Sequence, residues 1–145
     1  MFTAAVDRTF DIDIRTMWSL WTQAEHLGAW HRPSQAFGPT LATVDLRPGG
    51  AYRLEMIDPT GDVHATSGVY VEIDEPHRLV FTWQWDGSDH DTLVDVRLTE
   101  SDGRTTVSIT HTKLIDQAEA DLHAEGWIGC LAMIADLYLD AETAR

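Results

Sequence analysis

Polar and apolar residues alternate along several stretches of the chain, and each stretch predicts a β-strand with one buried face. The first spans Val6–Ile12, and five or six more follow between residues 41 and 111, separated by turn sequences rich in Gly, Pro and Asp. Four of them carry one apolar and one polar face, which is typical of an antiparallel sheet covered on one side. No helical segment separates consecutive strands between residues 41 and 111, so parallel βαβ winding is excluded there. Gly68, inside a longer strand, predicts a β-bulge.

Two short helices are predicted between the first strand and the rest of the sheet. Asp13 is placed to cap the first helix, which carries Met17 and Trp18. Thr22 and Glu25 match a capping box, so a second short helix is expected to start there. The following segment, rich in Pro and Gly, predicts a loop.

After Lys113 the spacing of apolar residues becomes helical, and it predicts one long C-terminal helix. Its most apolar stripe consists of residues placed within about 60° of one another on a helical wheel: Trp127, Leu131, Ile134 and Tyr138. Leu139 extends one flank of that stripe. The apolar segment is too short for a bilayer, which needs about 20 residues, and Asp136 interrupts it. The helix is therefore expected to cover the apolar face of the sheet, and its wide apolar arc permits a homodimer.

Together these elements predict an α+β fold in one domain, residues 1–145. A curved antiparallel sheet wraps around the long C-terminal helix, and two short helices follow the first strand. A strongly twisted sheet does not always close tightly on a helix, so a cavity between the two is expected.

The charge and the cysteine content exclude some classes of partner and an internal disulfide. Lys and Arg number 10 against 24 Asp and Glu, giving a net charge of −14. This charge repels nucleic-acid phosphates and anionic membrane surfaces, so neither partner is expected. The single cysteine, Cys130, allows no internal disulfide. The amino terminus has no basic region followed by an apolar run, so we expect no signal peptide and a cytoplasmic protein.

Several segments together resemble a known family. They are "MWSLWT" leading to Trp30, "DLRPGGAYRLEM", "SGVYVEIDEPHRLVFTW", "TLVDVRLTESDGRTTVSITH" and "EGWIGCLAMIADLYL". Over nearly the whole chain the sequence is similar to the bacterial single-domain form of the activator of heat-shock-protein-90 ATPase homologue family. That family belongs to the START/birch-pollen-allergen (SRPBCC) superfamily. The resemblance implies a helix-grip fold and binding of apolar or aromatic small molecules.

We therefore expect the cavity to bind a hydrophobic or aromatic small molecule. Six tryptophans in the chain favour an aromatic lining. The residues expected to line the cavity are Tyr52, Leu54, Met56, Phe81, Trp83, Trp85, Val94, Val96, Ile109, His111, Trp127, Leu131 and Ile134, with Trp30 and Phe37 near its mouth.

Two other functions stay open at this stage. One is an enzyme, cyclase-like or hydrolase-like, acting on such a ligand with His111 as acid or base, because alternation along its strand points His111 inward. The other is a chaperone-associated interaction module, which the family name implies. The seven histidines show no spacing typical of a metal site, and no cofactor is expected. Cys130 is interpreted as a small buried apolar residue.

Overall fold

One seven-stranded antiparallel sheet and a long C-terminal helix make up most of the computed structural model, which describes residues 2–138. The strands are β1 (Phe2–Phe10), β2 (Leu41–Val44), β3 (Ala51–Ile57), β4 (Val63–Asp74), β5 (Arg78–Trp85), β6 (Thr92–Ser101) and β7 (Arg104–Leu114). The helices are α1 (Ile14–Thr22), α2 (Ala24–Trp30) and α3 (Gln117–Tyr138). The predicted α+β helix-grip fold is confirmed.

The first and last strands along the chain, β1 and β7, are neighbours in the sheet. The strand order is β1-β7-β6-β5-β4-β3-β2, and each neighbouring pair is antiparallel. β1 and β2 therefore form opposite edges, and the two short helices connect one edge to the other. The first strand begins earlier than predicted and ends at Phe10 rather than Ile12.

The core lies between the inner face of the sheet and α3. Alternate residues of β6 and β7 are buried, as the period-2 pattern predicts: Val94, Val96, Leu98, Val107, Ile109 and His111. Three residues of the predicted helix stripe, Trp127, Leu131 and Ile134, are buried against them. The fourth, Tyr138, is half-buried, and its hydroxyl lies 3.1 Å from Nδ1 of His26 on α2. Leu139 lies outside the described residues.

One helix cap is confirmed and one prediction is wrong. The carboxylate of Asp13 accepts a hydrogen bond from the backbone N–H of Thr16 at 3.2 Å, so Asp13 caps α1. The predicted capping box of α2 does not form, because Thr22 is the last residue of α1 and its hydroxyl donates to the carbonyl of Trp18. Gln23 occupies the capping position of α2 without a side-chain hydrogen bond.

The predicted bulge at Gly68 is also misplaced. Gly68 pairs regularly with Tyr52, and the register of β4 shifts three residues later, between Tyr70 and Glu72. The shift allows Tyr70 to be buried while Glu72 is exposed. Gly68 has another reason to lack a side chain, since a Cβ there would lie 2.0 Å from the carbonyl oxygen of Thr82.

Candidate functional site

A pocket of about 400 Å³ lies between the first half of α3, the ends of β3 and β5, and the segment after α2. Eleven residues line it: His31, Pro33, Met56, Trp83, Trp85, Glu119, Leu122, His123, Gly126, Trp127 and Cys130. Only one of them, Glu119, carries a formal charge at neutral pH, and three are tryptophans.

One face of α3 supplies more than half of this lining. The contributing residues are spaced three or four apart, which places them on one side of a helix: Glu119, Leu122, His123, Gly126, Trp127 and Cys130. Trp127 and Cys130 are buried, whereas Leu122 is 68% exposed and lies at the open side of the pocket. The pocket therefore runs along α3 from a buried end at Trp127 and Cys130 to an open end at Leu122.

The two glycines of α3 face different surroundings. A Cβ added at Gly126 would meet no atom within 4 Å, so Gly126 opens onto space at the pocket wall. A Cβ added at Gly129 would lie 2.3 Å from the carbonyl oxygen of Pro33. Gly129 thus allows the segment after α2 to approach the helix backbone closely, and this approach brings Pro33 and His31 to the pocket.

β5 supplies two indole rings to the opposite wall. Trp83 and Trp85 are two positions apart on one strand, so both side chains point to the same face of the sheet. Their ring centroids are 5.4 Å apart and their planes are nearly perpendicular, at 88°. Trp83 is also 5.4 Å from Trp127 of α3, with planes at 58°. The wall therefore contains aromatic rings in several orientations.

His31 is buried at the inner end of the pocket without a hydrogen-bond partner. Neither of its ring nitrogens has a partner among residues 2–138, and the same holds for Nε1 of Trp83. Burial lowers the pKa of His31 to about 4, so its ring is uncharged at neutral pH. An unpartnered buried polar group costs about 1–3 kcal/mol of stability, so His31 destabilises the folded protein at this position.

His111, by contrast, has both ring nitrogens occupied. Nε1–H of Trp127 donates to Nδ1 at 3.2 Å, and Nε2 lies 2.7 Å from Oγ1 of Thr92. The hydroxyl of Thr92 in turn donates to the carbonyl of Trp83 at 2.9 Å. This chain of donors requires the proton of His111 to sit on Nε2 and donate to Thr92. The network fixes the tryptophans of both walls relative to each other.

The occupied nitrogens bear on the predicted acid–base role of His111. Burial, together with the neighbouring His123, lowers its pKa to about 3. A proton acceptor in catalysis needs a free lone pair within reach of the substrate, and the only lone pair of His111 already accepts from Trp127. The geometry therefore favours a structural role over an acid–base role.

His123 and Glu119 lie at the mouth of the pocket. Nε2 of His123 is 3.9 Å from Oε1 of Glu119. Burial lowers the pKa of His123, and Glu119 partly opposes this shift. The other carboxylate oxygen of Glu119 accepts a hydrogen bond from the N–H of Ile115 at 2.8 Å, while Asp116 accepts from the N–H of Glu119 at 2.8 Å. Asp116 thus caps α3, and Glu119 reaches back to the residue before the cap, in an arrangement similar to a capping box.

Four of the fifteen predicted lining residues come together in this pocket: Met56, Trp83, Trp85 and Trp127. Tyr52, Leu54 and Phe81 lie around a much smaller space of about 20 Å³ on the same side of the sheet. Seven others are buried in the core and do not line either space: Trp30, Val94, Val96, Ile109, His111, Leu131 and Ile134. Phe37 is half-buried near the ring of His64. For all the predicted lining residues, a role in ligand binding stays a prediction.

Sequence reasoning missed His31, Pro33 and most of the α3 wall. His123 lies one helical turn before Trp127, so the same period that selected Trp127 also indicates His123. His31 and Pro33 gave no local signal, because a loop's path across another element is not encoded in its own pattern.

Cys130 is a protonated thiol, and the described residues contain no cluster of metal-ligand side chains. Burial raises the pKa of the Cys130 thiol to about 12, so the thiol remains protonated, consistent with its interpretation as a small apolar residue. Within residues 2–138, no three His, Cys, Asp or Glu side chains converge as metal ligands would. None of the helices in this range is both long and apolar enough for a membrane crossing.

Comparisons with known proteins identify the family to which this helix-grip protein belongs. Residues 11–138 match the family model described as "Activator of Hsp90 ATPase homolog 1-like protein". The chain belongs to this family, as its sequence segments indicated. No curated protein matches the sequence.

Solved structures with the same fold cover nearly the whole chain. A protein from Chromobacterium violaceum superimposes with a TM-score of 0.83 at 24% identity, covering 93% of this chain and 95% of that one. An AHSA1 protein from Silicibacter pomeroyi gives 0.83 at 20% identity, covering 96% and 99%. An HSP90 activator from Plasmodium falciparum gives 0.75 at 20% identity, covering 94% and 96%. At these identities the likeness concerns the fold.

Proposed function

We propose that the protein binds a hydrophobic or aromatic small molecule in the pocket between β5 and α3. The observation that carries the proposal is the lining itself, with three indole rings, Met56 and Leu122 around about 400 Å³. Ligand pockets typically enclose about 300–1,000 Å³ and combine apolar walls with a few polar groups. His31 and Trp83 supply ring nitrogens that have no hydrogen-bond partner in the described part of the chain.

A neutral aromatic probe tests the proposal directly. 2-Naphthol is titrated into the protein while tryptophan fluorescence and the melting temperature are followed. Because a ligand that binds only the folded state stabilises it by mass action, we expect a saturable fluorescence change and a rise in melting temperature. Neither change across naphthol, indole and a set of larger apolar probes would contradict ligand binding.

A pair of variants tests the location of the site. Gly126→Phe fills open space at the pocket wall, whereas Ile128→Phe adds a ring on the exposed side of the same helix. We expect Gly126→Phe to abolish probe binding and Ile128→Phe to preserve it. Unchanged binding in a folded Gly126→Phe protein would place the ligand elsewhere.

Association with an Hsp90-class chaperone is a second candidate. Two observations favour it: membership of the family named for that activity, and the similar fold of the Plasmodium falciparum HSP90 activator. The test is the ATPase rate of a purified Hsp90 chaperone with and without the protein, alongside a binding measurement. A faster rate supports the candidate, and an unchanged rate with no complex contradicts it.

The expected cytoplasmic location, single domain and homodimer stay predictions beside these proposals. Light scattering of the purified protein at several concentrations distinguishes a dimer from a monomer.

A further inference from the structure

We infer that the pocket prefers hydrophobic ligands that carry a positive charge, such as arylalkyl ammonium ions, over neutral and anionic ligands of similar shape. The inference rests on the proposed function, since it requires that the pocket bind a ligand at all. It adds the charge of the ligand, which an apolar lining by itself does not determine.

The one formal charge among the described residues that line the pocket is negative. Glu119 is the only charged residue among the eleven that line it, and neither Lys nor Arg is among them. The whole chain carries a net charge of −14, so the wider field has the same sign. A carboxylate ligand entering this pocket would lose its hydration without gaining a cationic partner, which is costly.

The histidines do not supply the missing positive charge. Burial lowers the pKa of His31 to about 4 and also lowers that of His123, so both rings are neutral near pH 7. The positive end of the α3 dipole is a further place where an anion would be favoured. There, however, the carboxylates of Asp116 and Glu119 already accept the N–H groups of Glu119 and Ile115.

The aromatic walls suit a cation. An ammonium group within about 6 Å of an indole ring is attracted by the negative face of the ring, and clusters of aromatic rings bind quaternary ammonium ions in this way. Trp83, Trp85 and Trp127 present rings at 58° and 88° to one another. A cation at the mouth would combine such ring contacts with the carboxylate of Glu119.

Glu119 can be neutralised with little disturbance of the helix. Its Oε2 accepts the Ile115 N–H, and the amide oxygen of glutamine serves equally well in a capping box. Glu125 provides a matched control, because it lies on the same helix, is exposed and is not among the lining residues. Glu119→Gln and Glu125→Gln change the net charge equally.

The experiment compares three probes built on one naphthyl group: (2-naphthylmethyl)trimethylammonium, 2-naphthylmethanol and 2-naphthoate. Dissociation constants are measured at pH 7.5 by tryptophan fluorescence and calorimetry. We expect the ammonium probe to bind at least about fivefold more tightly than the alcohol. We expect 2-naphthoate to bind weakest. Glu119→Gln is expected to weaken the ammonium probe about fivefold and leave the alcohol unchanged, while Glu125→Gln changes neither.

The outcomes separate this inference from the proposed function. If the alcohol binds but the ammonium probe binds no tighter, or 2-naphthoate binds best, the charge preference is wrong and ligand binding stands. If Glu125→Gln weakens the ammonium probe as much as Glu119→Gln, the preference comes from the net charge and not from the pocket. If no probe binds, the proposed function fails. The three-probe comparison on the unaltered protein decides the charge preference even if a variant does not fold.

Discussion

The indole N–H of Trp127 donates to Nδ1 of His111 over 3.2 Å, which joins the helix wall of the pocket to β7 of the sheet. Replacing His111 by leucine keeps a side chain of similar size but removes both hydrogen bonds. The buried Trp127 N–H then has no acceptor, and leaving a buried donor unpaired costs about 1–3 kcal/mol. We expect His111→Leu to lower the free energy of unfolding by about that amount, measured by urea denaturation at pH 7.5. An unchanged value would contradict the structural role.

His31→Leu is expected to have the opposite effect. Both ring nitrogens of His31 are buried without partners among residues 2–138, so replacement by leucine removes an unpaired polar group and retains apolar volume. We expect the free energy of unfolding at pH 7.5 to stay the same or rise. A loss of about 2 kcal/mol or more would show that His31 has a stabilising partner. A gain would indicate that His31 is retained for what binds in the pocket.

Acidification is expected to destabilise the protein through these two histidines. Their folded-state pKa values, about 4 for His31 and about 3 for His111, lie below the ordinary value of 6.5. The unfolded chain therefore takes up protons first, so stability is complete above about pH 6.5 and is lost as the pH falls toward the folded-state values. At pH 5 each histidine contributes a loss of about 2 kcal/mol.

The measurement is urea denaturation at pH 7.5 and pH 5 for the unaltered protein and for single variants. His31→Leu and His111→Leu should each reduce the difference between the two pH values, whereas His77→Gln, at an exposed histidine, should not. Equal differences in all four proteins would assign the acid sensitivity to other groups.

Replacing each of the two glycines of α3 by alanine is expected to change the stability of the protein in opposite directions. Gly126→Ala meets no atom and gains the better helix propensity of alanine, worth up to about 1 kcal/mol. Gly129→Ala forces a Cβ against the carbonyl of Pro33 and is expected to cost about 1–3 kcal/mol. Thermal denaturation of both variants checks the pair, and a destabilised Gly126→Ala protein would show that this wall is already filled.

Local patterns predicted the fold and part of the pocket. The period-2 pattern of β5 correctly placed Trp83 and Trp85 on one inward face, and the helical period placed Trp127 opposite them. These assignments need only the geometry of a single element. The predicted pocket residues of β6, such as Val94, were correctly assigned to the inner face, yet packing against α3 leaves them in the core.

The remaining pocket residues depend on contacts between distant segments. His31 and Pro33 reach the pocket because the chain after α2 crosses α3 at Gly129, about a hundred residues away in sequence. No periodicity in either segment records that crossing. The glycine itself was visible in the sequence, but its reason was visible only with the carbonyl of Pro33 beside it.

The face of α3 that lines the pocket ends at Cys130, and four buried core residues follow it: Leu131, Met133, Ile134 and Ala135. Trp127 and Cys130 belong to both the pocket and the core, whereas the lining residues before them lie outside the core. Substitutions at the lining positions Leu122, His123 and Gly126, which lie outside the core, can alter what the pocket accepts at little cost to folding. Descendants of such a chain could diverge in the molecules they recognise while the rest of the helix preserves a common architecture.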